Sequence, residues 1–227
     1  KELVRLMPNE NYIYYGDSLN APYGTKPTEE VRRLTIHNTD GLIKAGAKEV
    51  VIACNTATSA AIVSLREMYP SVPMIGLEPA IKPAALECNG GRVLVMATEL
   101  TLRERKFLLL LEKYKDIAEI ISLPCPELVE FAEGGITEGK ELENYLNTIL
   151  APYIHNVDGI VLGCTHFPLL KDAIQRAAKG IKLYDGGIGA AREALHQLKE
   201  TDLVSNAAEG SITFKSSLNG KEDLYRK

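Results

Sequence analysis

The sequence has no surplus of basic side chains: 26 Lys and Arg stand against 30 Asp and Glu, a formal net charge of −4. Holding nucleic acid through its phosphates needs clustered positive charge, so no nucleic-acid partner is expected. Long apolar runs are also missing. The strongest, residues 107–111, is stopped at once by Glu112, far short of the roughly 20 residues of a membrane span, so no membrane partner is expected either. Cysteine is scarce, with Cys54, Cys88, Cys125 and Cys164 spread through 227 residues, unlike the dense spacing of a disulfide-stapled secreted module. Reduced thiols in the cytoplasm are the expected state. There is no C-x-x-C pair, and His37, His155, His166 and His196 show no zinc-site spacing, so no metal is expected. The chain opens at Lys1 without a Met and without a basic-then-apolar leader, which gives no sign of secretion and predicts further chain ahead of Lys1.

What is present is an apolar content of 45% with 25% charged residues, the composition of an ordinary globular protein. Short apolar runs alternate with longer amphipathic ones. The pattern predicts strands at 10–15, 49–53, 72–76, 92–97, 117–123, 159–163 and 182–184, with helices at 28–45, 56–68, 102–114, 140–155 and 168–178. Strands that are apolar throughout, in β-α-β-α order, indicate an α/β protein with mostly parallel sheets flanked by helices. Glycine and proline cluster at 22–24, 76–83 and 185–189. Taking the second and third clusters as crossing segments divides the chain into lobe I, residues 1–77 plus 187–227, and lobe II, residues 78–186. The polar tail from 206 onward is expected to be loosely ordered.

One pattern occurs twice. Val50-Val-Ile-Ala-Cys54-Asn-Thr56 and Ile160-Val-Leu-Gly-Cys164-Thr-His166 each run three aliphatic residues, one small residue, Cys, then two polar residues. Each cysteine thus falls where a buried parallel strand ends and a helix is expected to begin, the edge at which open α/β sheets bind ligands. A helix N-terminus favours the thiolate, so both are placed for reactivity. The competing reading is that a cysteine is simply a small buried hydrophobe, and it fits Cys88 and Cys125, which lack this context. Two thiols on opposite sides of a carbon could remove and return a proton with inversion. A disulfide redox pair is the alternative, although such pairs usually lie close in sequence.

The runs Ala53-Cys-Asn-Thr-Ala-Thr58 and Gly163-Cys-Thr-His-Phe-Pro-Leu169, with Tyr15-Gly-Asp17 and Pro22-Tyr-Gly24, closely resemble the glutamate racemases of the aspartate/glutamate racemase superfamily. The resemblance runs from Leu6 to the region of Asp185. It implies two pseudo-symmetric α/β lobes with the active site in the cleft between them and interconversion of L- and D-glutamate without a cofactor. It further implies a part in supplying D-glutamate for peptidoglycan, and dimers are frequent in the family. Carried over, Cys54 would act on D-glutamate and Cys164 on L-glutamate. His166 would assist Cys164, and Glu133 would pair with His166, although three glutamates within seven residues also fit a solvated helix face. Tyr23, Gly24, Asn55, Thr56, Thr165 and His166 match substrate-binding positions, and Thr98 is expected to line the same pocket. The family also begins with a strand and an Asp-Ser ahead of the position of Lys1. That carboxylate assists the first cysteine, so this polypeptide is expected to be impaired without it. Related racemases of aspartate or hydantoins, a superfamily decarboxylase, and an amino-acid-binding protein on the same scaffold are the rival readings. Asp185-Gly-Gly-Ile-Gly189 lacks the third glycine of a dinucleotide fingerprint and reads as a turn opening a helix. No lysine has a pyridoxal phosphate context, so no cofactor is expected.

Overall fold

The computed structural model describes residues 1–222. In chain order the elements are α1 (Glu2–Leu6), β1 (Tyr12–Gly16), a 3-10 turn (Tyr23–Thr25), α2 (Thr28–Lys44), β2 (Val50–Ile52), α3 (Asn55–Met68) and β3 (Met74–Gly76). They continue with α4 (Ile81–Glu87), β4 (Arg92–Ala97), α5 (Glu99–Arg103), α6 (Arg105–Tyr114), β5 (Glu119–Pro124), α7 (Glu127–Glu133) and α8 (Lys140–Leu150). The chain then forms β6 (Gly159–Leu162), a second 3-10 turn (Phe167–Leu170), α9 (Lys171–Ala177), β7 (Lys182–Asp185), α10 (Gly187–Glu200) and β8 (Ile212–Ser216).

A four-stranded parallel sheet of order β5-β4-β6-β7 forms the centre of one lobe. Side chains alternate across a strand, so β4 sends Leu94 and Met96 to one core with Ile160, Leu162, Leu128, Leu142, Leu146 and Phe167. Val93 and Val95 go to the other face, where Ile81, Ala84, Phe107 and Tyr114 cover them. Both faces are buried, which is why these strands read as unbroken apolar runs. From β4 the chain goes outward to β5, whereas β6 leads to β7 on the other side. The carboxyl ends of β4 and β6 therefore form the topological switch point at which α/β sheets bind ligands. They lead into Thr98 and Cys164.

The other lobe contains two parallel pairs, β1-β8 and β2-β3, with no pairing between β1 and β2 among the described residues. Val50 and Ile52 of β2 pack against α2 and α3 through Val31, Ala61, Ile62 and Leu65. Val51, Ile75 and Tyr12 face α1 and α10 through Met7, Ala194 and Leu198. The α/β class with parallel sheets in two lobes is thus as the pattern implied.

Several elements depart from expectation. The tail from 206 is not all loose: Ile212–Ser216 pairs in register with β1, Tyr12 against Ile212 through Gly16 against Ser216. Backbone hydrogen bonding to an available parallel edge outweighs its polar composition. Residues 223–227 of that tail lie outside the described residues. The helix expected at 102–114 is divided at Glu104, whose backbone is extended (φ −68°, ψ 138°) and whose carboxylate accepts a 2.7 Å bond from the Thr28 hydroxyl. The helix expected at 168–178 starts only at Lys171, after the 3-10 turn containing Pro168. Helices α1 and α4 lie outside the expected set, being short or rich in small residues, so their apolar periodicity is weak. The turn at Asp185 does open α10, with the Gly187 N–H donating to the Asp185 carboxylate at 3.0 Å.

Candidate active site

Cys54 follows β2 after Ala53. Its extended backbone (φ −152°, ψ 120°) makes it the N-cap of α3, and its sulfur accepts the Ala57 N–H at 3.4 Å. This is the capping geometry usually supplied by a Ser or Asp oxygen. The helix start does not lower the thiol overall. Burial pushes Cys54 up to about 11, the Ala57 N–H opposes that shift, and the charge of Cys164 adds to it. Desolvation outweighs the helix N-terminus.

The next residues in α3 are buried. Asn55 is 3% exposed and its Oδ1 has no hydrogen-bond partner among the described residues. An orphaned buried acceptor costs about 1–3 kcal/mol, so this carbonyl is suited to an ammonium or amide donor arriving with a ligand. Thr56 lies 3.1 Å from both the Thr98 and the Thr101 hydroxyls, which are themselves 3.0 Å apart. The triangle joins the end of β4 to the start of α3. A ring of three hydroxyls satisfies itself, and each oxygen that turns its proton outward becomes a donor for a carboxylate.

Tyr23 and Gly24 close another side. A Cβ on Gly24 would lie 2.7 Å from the Thr98 side chain, so glycine is what lets this turn meet β4. The Tyr23 hydroxyl donates to Asp17 at 2.5 Å, and Asn20 (2.9 Å) and Asn38 (3.1 Å) also donate to that carboxylate. Burial alone would raise Asp17, but these hydrogen bonds hold it below its ordinary value. Tyr23 is pushed upward by burial, by Asp17 and by the charge of Cys54, so it stays protonated beside that thiol.

Cys164 has different neighbours. It follows β6 and Gly163 and enters a turn, with the Phe167 N–H bonded to the Cys164 carbonyl at 3.2 Å. Its sulfur is 3.5 Å from Nδ1 of His166, and Nε2 of His166 is 2.6 Å from Glu133 at the end of α7. Burial works against a charged imidazole, but Cys164 and Glu133 prevail and raise His166 to about 10. The bond to His166 in turn holds Glu133 below the usual carboxylate range, against its burial. Thr165 is half-buried in the same turn.

Of the residues singled out from the sequence, Cys54, Thr56 and Thr98 share one connected set of contacts with Tyr23 and Gly24. Cys164, His166 and Glu133 form a second set, electrostatically linked to the first through the two sulfurs. Cys125 is fully buried and donates to the Leu123 carbonyl at 3.4 Å, while Cys88 is half-buried, 3.9 Å from the Tyr184 hydroxyl. Thr101 and Asn38 were missed. For Thr101 the available signal was its position three residues after the α5 N-cap Thr98, where capping pairs meet. Asn38 lies mid-helix with no motif to mark it.

The Asp/Glu/hydantoin racemase profile matches residues 2–194. A glutamate racemase of Clostridium botulinum (strain Alaska E43) is 48% identical over 227 residues, covering 99% of this chain and 88% of that one. Among solved structures, Escherichia coli glutamate racemase in complex with L-glutamate and the activator UDP-MurNAc-Ala superposes with a TM-score of 0.83. It is 31% identical, and the match covers 98% of this chain and 86% of that one. Francisella tularensis glutamate racemase in complex with D-glutamate gives 0.84 at 28% identity, covering 97% and 83%. With a strand-end cysteine in each lobe and a match along most of its length, this chain belongs to the Asp/Glu/hydantoin racemase family.

Proposed function

We propose that the chain interconverts L- and D-glutamate by proton transfer between two thiols, with no cofactor, and that it supplies D-glutamate for peptidoglycan. The observation that carries this reading is the pair of strand-end cysteines, one in each lobe, with Cys54 capping α3 and Cys164 beside His166. The relatives bound to L- and D-glutamate support the choice of substrate. The lobe boundaries we infer are 1–77 with 187–227, and 78–186, since the four core clusters divide along that line. No described helix is long and apolar enough to cross a membrane. The cytoplasm is the compartment that keeps such thiols reduced. We retain the homodimer as the family's usual assembly.

In this mechanism the His166 imidazole stands 3.5 Å from the Cys164 sulfur, placed to serve that thiol, while burial keeps Cys54 protonated. The Cys164 thiolate removes the α-proton of L-glutamate, and the Cys54 thiol delivers its own proton to the opposite face. That leaves Cys54 as thiolate and Cys164 as thiol, the form that acts on D-glutamate. The carbanion character in between is stabilised by groups already in place: Asn55 Oδ1 accepts from the substrate ammonium, and the hydroxyls of Thr56, Thr98 and Thr165 donate to its carboxylates. Tyr23, Gly24 and His166 bound the site.

Incubation with L-glutamate in deuterium oxide should give D-glutamate carrying deuterium at the α-carbon, read by NMR and chiral chromatography. Faster turnover of aspartate would move the assignment to the aspartate branch, loss of carbon dioxide to a decarboxylase, and binding without exchange to an amino-acid-binding protein.

A further inference from the structure

Thr58 belongs to the Ala53–Thr58 run but has no part in the mechanism above. It is 1% exposed, in the first turn of α3, with its N–H bonded to the Cys54 carbonyl at 2.9 Å. Its hydroxyl donates to the Ile52 carbonyl at the end of β2 (3.2 Å) and accepts the Leu77 N–H at 3.0 Å. Leu77 is the first residue after β3, where the chain leaves for the other lobe, and its N–H is shared with the Ile52 carbonyl at 3.2 Å. One side chain therefore joins the strand end before Cys54, the helix turn after it and the start of the crossing segment. Its orientation is fixed sterically. A Cβ on Gly76 would come within 2.3 Å of the Thr58 methyl, so the methyl occupies the space the glycine leaves and the hydroxyl has one place to point. In the Cys164 turn the position four residues after the cysteine is Pro168, which has no hydroxyl.

We propose that Thr58 is a positioning residue that ties the Cys54 turn to the crossing segment at Leu77, so that displacement of this segment moves the Cys54 thiol but not the Cys164 thiol. The proposal rests on reading Cys54 as one of the two acid/base groups. A neutral hydrogen bond lost inside the fold shifts a local equilibrium by about two- to tenfold. Loosening at this junction hydrates the Cys54 sulfur and relieves the burial that raises it.

The test is residue-resolved alkylation with iodoacetamide across pH, followed by peptide mass spectrometry, which needs no catalytic turnover. In Thr58→Val, Cys54 should label about two- to tenfold faster than in the parent, with its pH profile displaced downward, while Cys164 labels at the parental rate. Thr58→Ser, which keeps the hydroxyl, should restore the parental behaviour. Gly76→Ala, which forces the Thr58 side chain aside, should reproduce the valine variant and carries the test if that variant does not fold. Unchanged Cys54 labelling in both folded variants, equal acceleration at both cysteines, or a serine variant that behaves like valine would each overturn the proposal. The deuterium exchange of the unsubstituted protein tests the acid/base reading separately.

Discussion

The turn after β2 and the turn after β6 carry the same order of aliphatic, small and cysteine residues, yet different groups stand behind the two thiols. Cys54 caps a 14-residue helix, accepts a backbone N–H at 3.4 Å, and is held near about 11 by burial. Cys164 enters a turn that delays its helix to Lys171, and its neighbour is an imidazole oriented by Glu133. One thiol depends on backbone and dehydration, the other on a movable charge. A symmetric reaction is thus served by asymmetric supports, and the two should fail differently.

The largest effect should come from removing either sulfur. Cys54→Ala and Cys164→Ala are each expected to reduce racemisation by at least the 10²–10⁴-fold of a positioned acid/base group, roughly, measured as deuterium incorporation. Substantial turnover in one of them would leave a one-thiol enzyme. His166→Gln should lower turnover by about 10- to 100-fold, the worth of a hydrogen bond to a charged group. The primary isotope effect should grow more with α-deuterated L-glutamate than with the D-isomer, because only Cys164 loses its partner. Equal growth in both directions would make His166 common to the two thiols.

Charge state provides a third test. NMR titration should find His166 protonated up to about 10 and Glu133→Gln should bring it back toward its ordinary range. Since the folded value is raised above 6.5, the stability this imidazolium contributes is complete below about 6.5 and is lost as pH rises through about 10. The depressed Glu133 carboxyl behaves oppositely, contributing above about 4.5 and losing that contribution as pH falls through its lower folded value. No such histidine lies behind Cys54 among the described residues, so the alkaline dependence of the N-cap turn should begin only above about 9 and run through about 11, where the buried thiol itself titrates.

The smallest effect is expected just ahead of β2. Burial, Glu10 and Glu193 raise Glu49 to about 7 against the pull of Lys48. Its contribution is full below about 4.5 and lost as pH rises through about 7. Glu49→Gln should flatten the pH dependence of unfolding in that window, measured by chemical denaturation.

The cysteine pair was legible because three consecutive aliphatic residues, a small residue and Cys twice mark a buried strand ending at a polar turn. The central strand Arg92–Ala97 was legible for the same reason, since both of its faces are covered and every position is apolar. Strand β8 was not, because two of its outward residues are polar and its partner β1 lies almost 200 residues earlier. The contacts of Thr101, Asn38 and Thr58 were not legible because a hydroxyl or amide becomes specific only when another segment places an acceptor or donor within 3.5 Å.

The sequence alone determined the α/β class, the two strand-end thiols and the family, because these depend on apolar periodicity and on short contiguous motifs. Tertiary structure decided how those thiols differ. The rise of Cys54, the 2.6 Å bond between His166 and Glu133, and the Thr56–Thr98–Thr101 triangle all depend on burial and on contacts between distant segments. Desolvation and hydrogen bonding are set by what surrounds a group in space, and no window of sequence contains that.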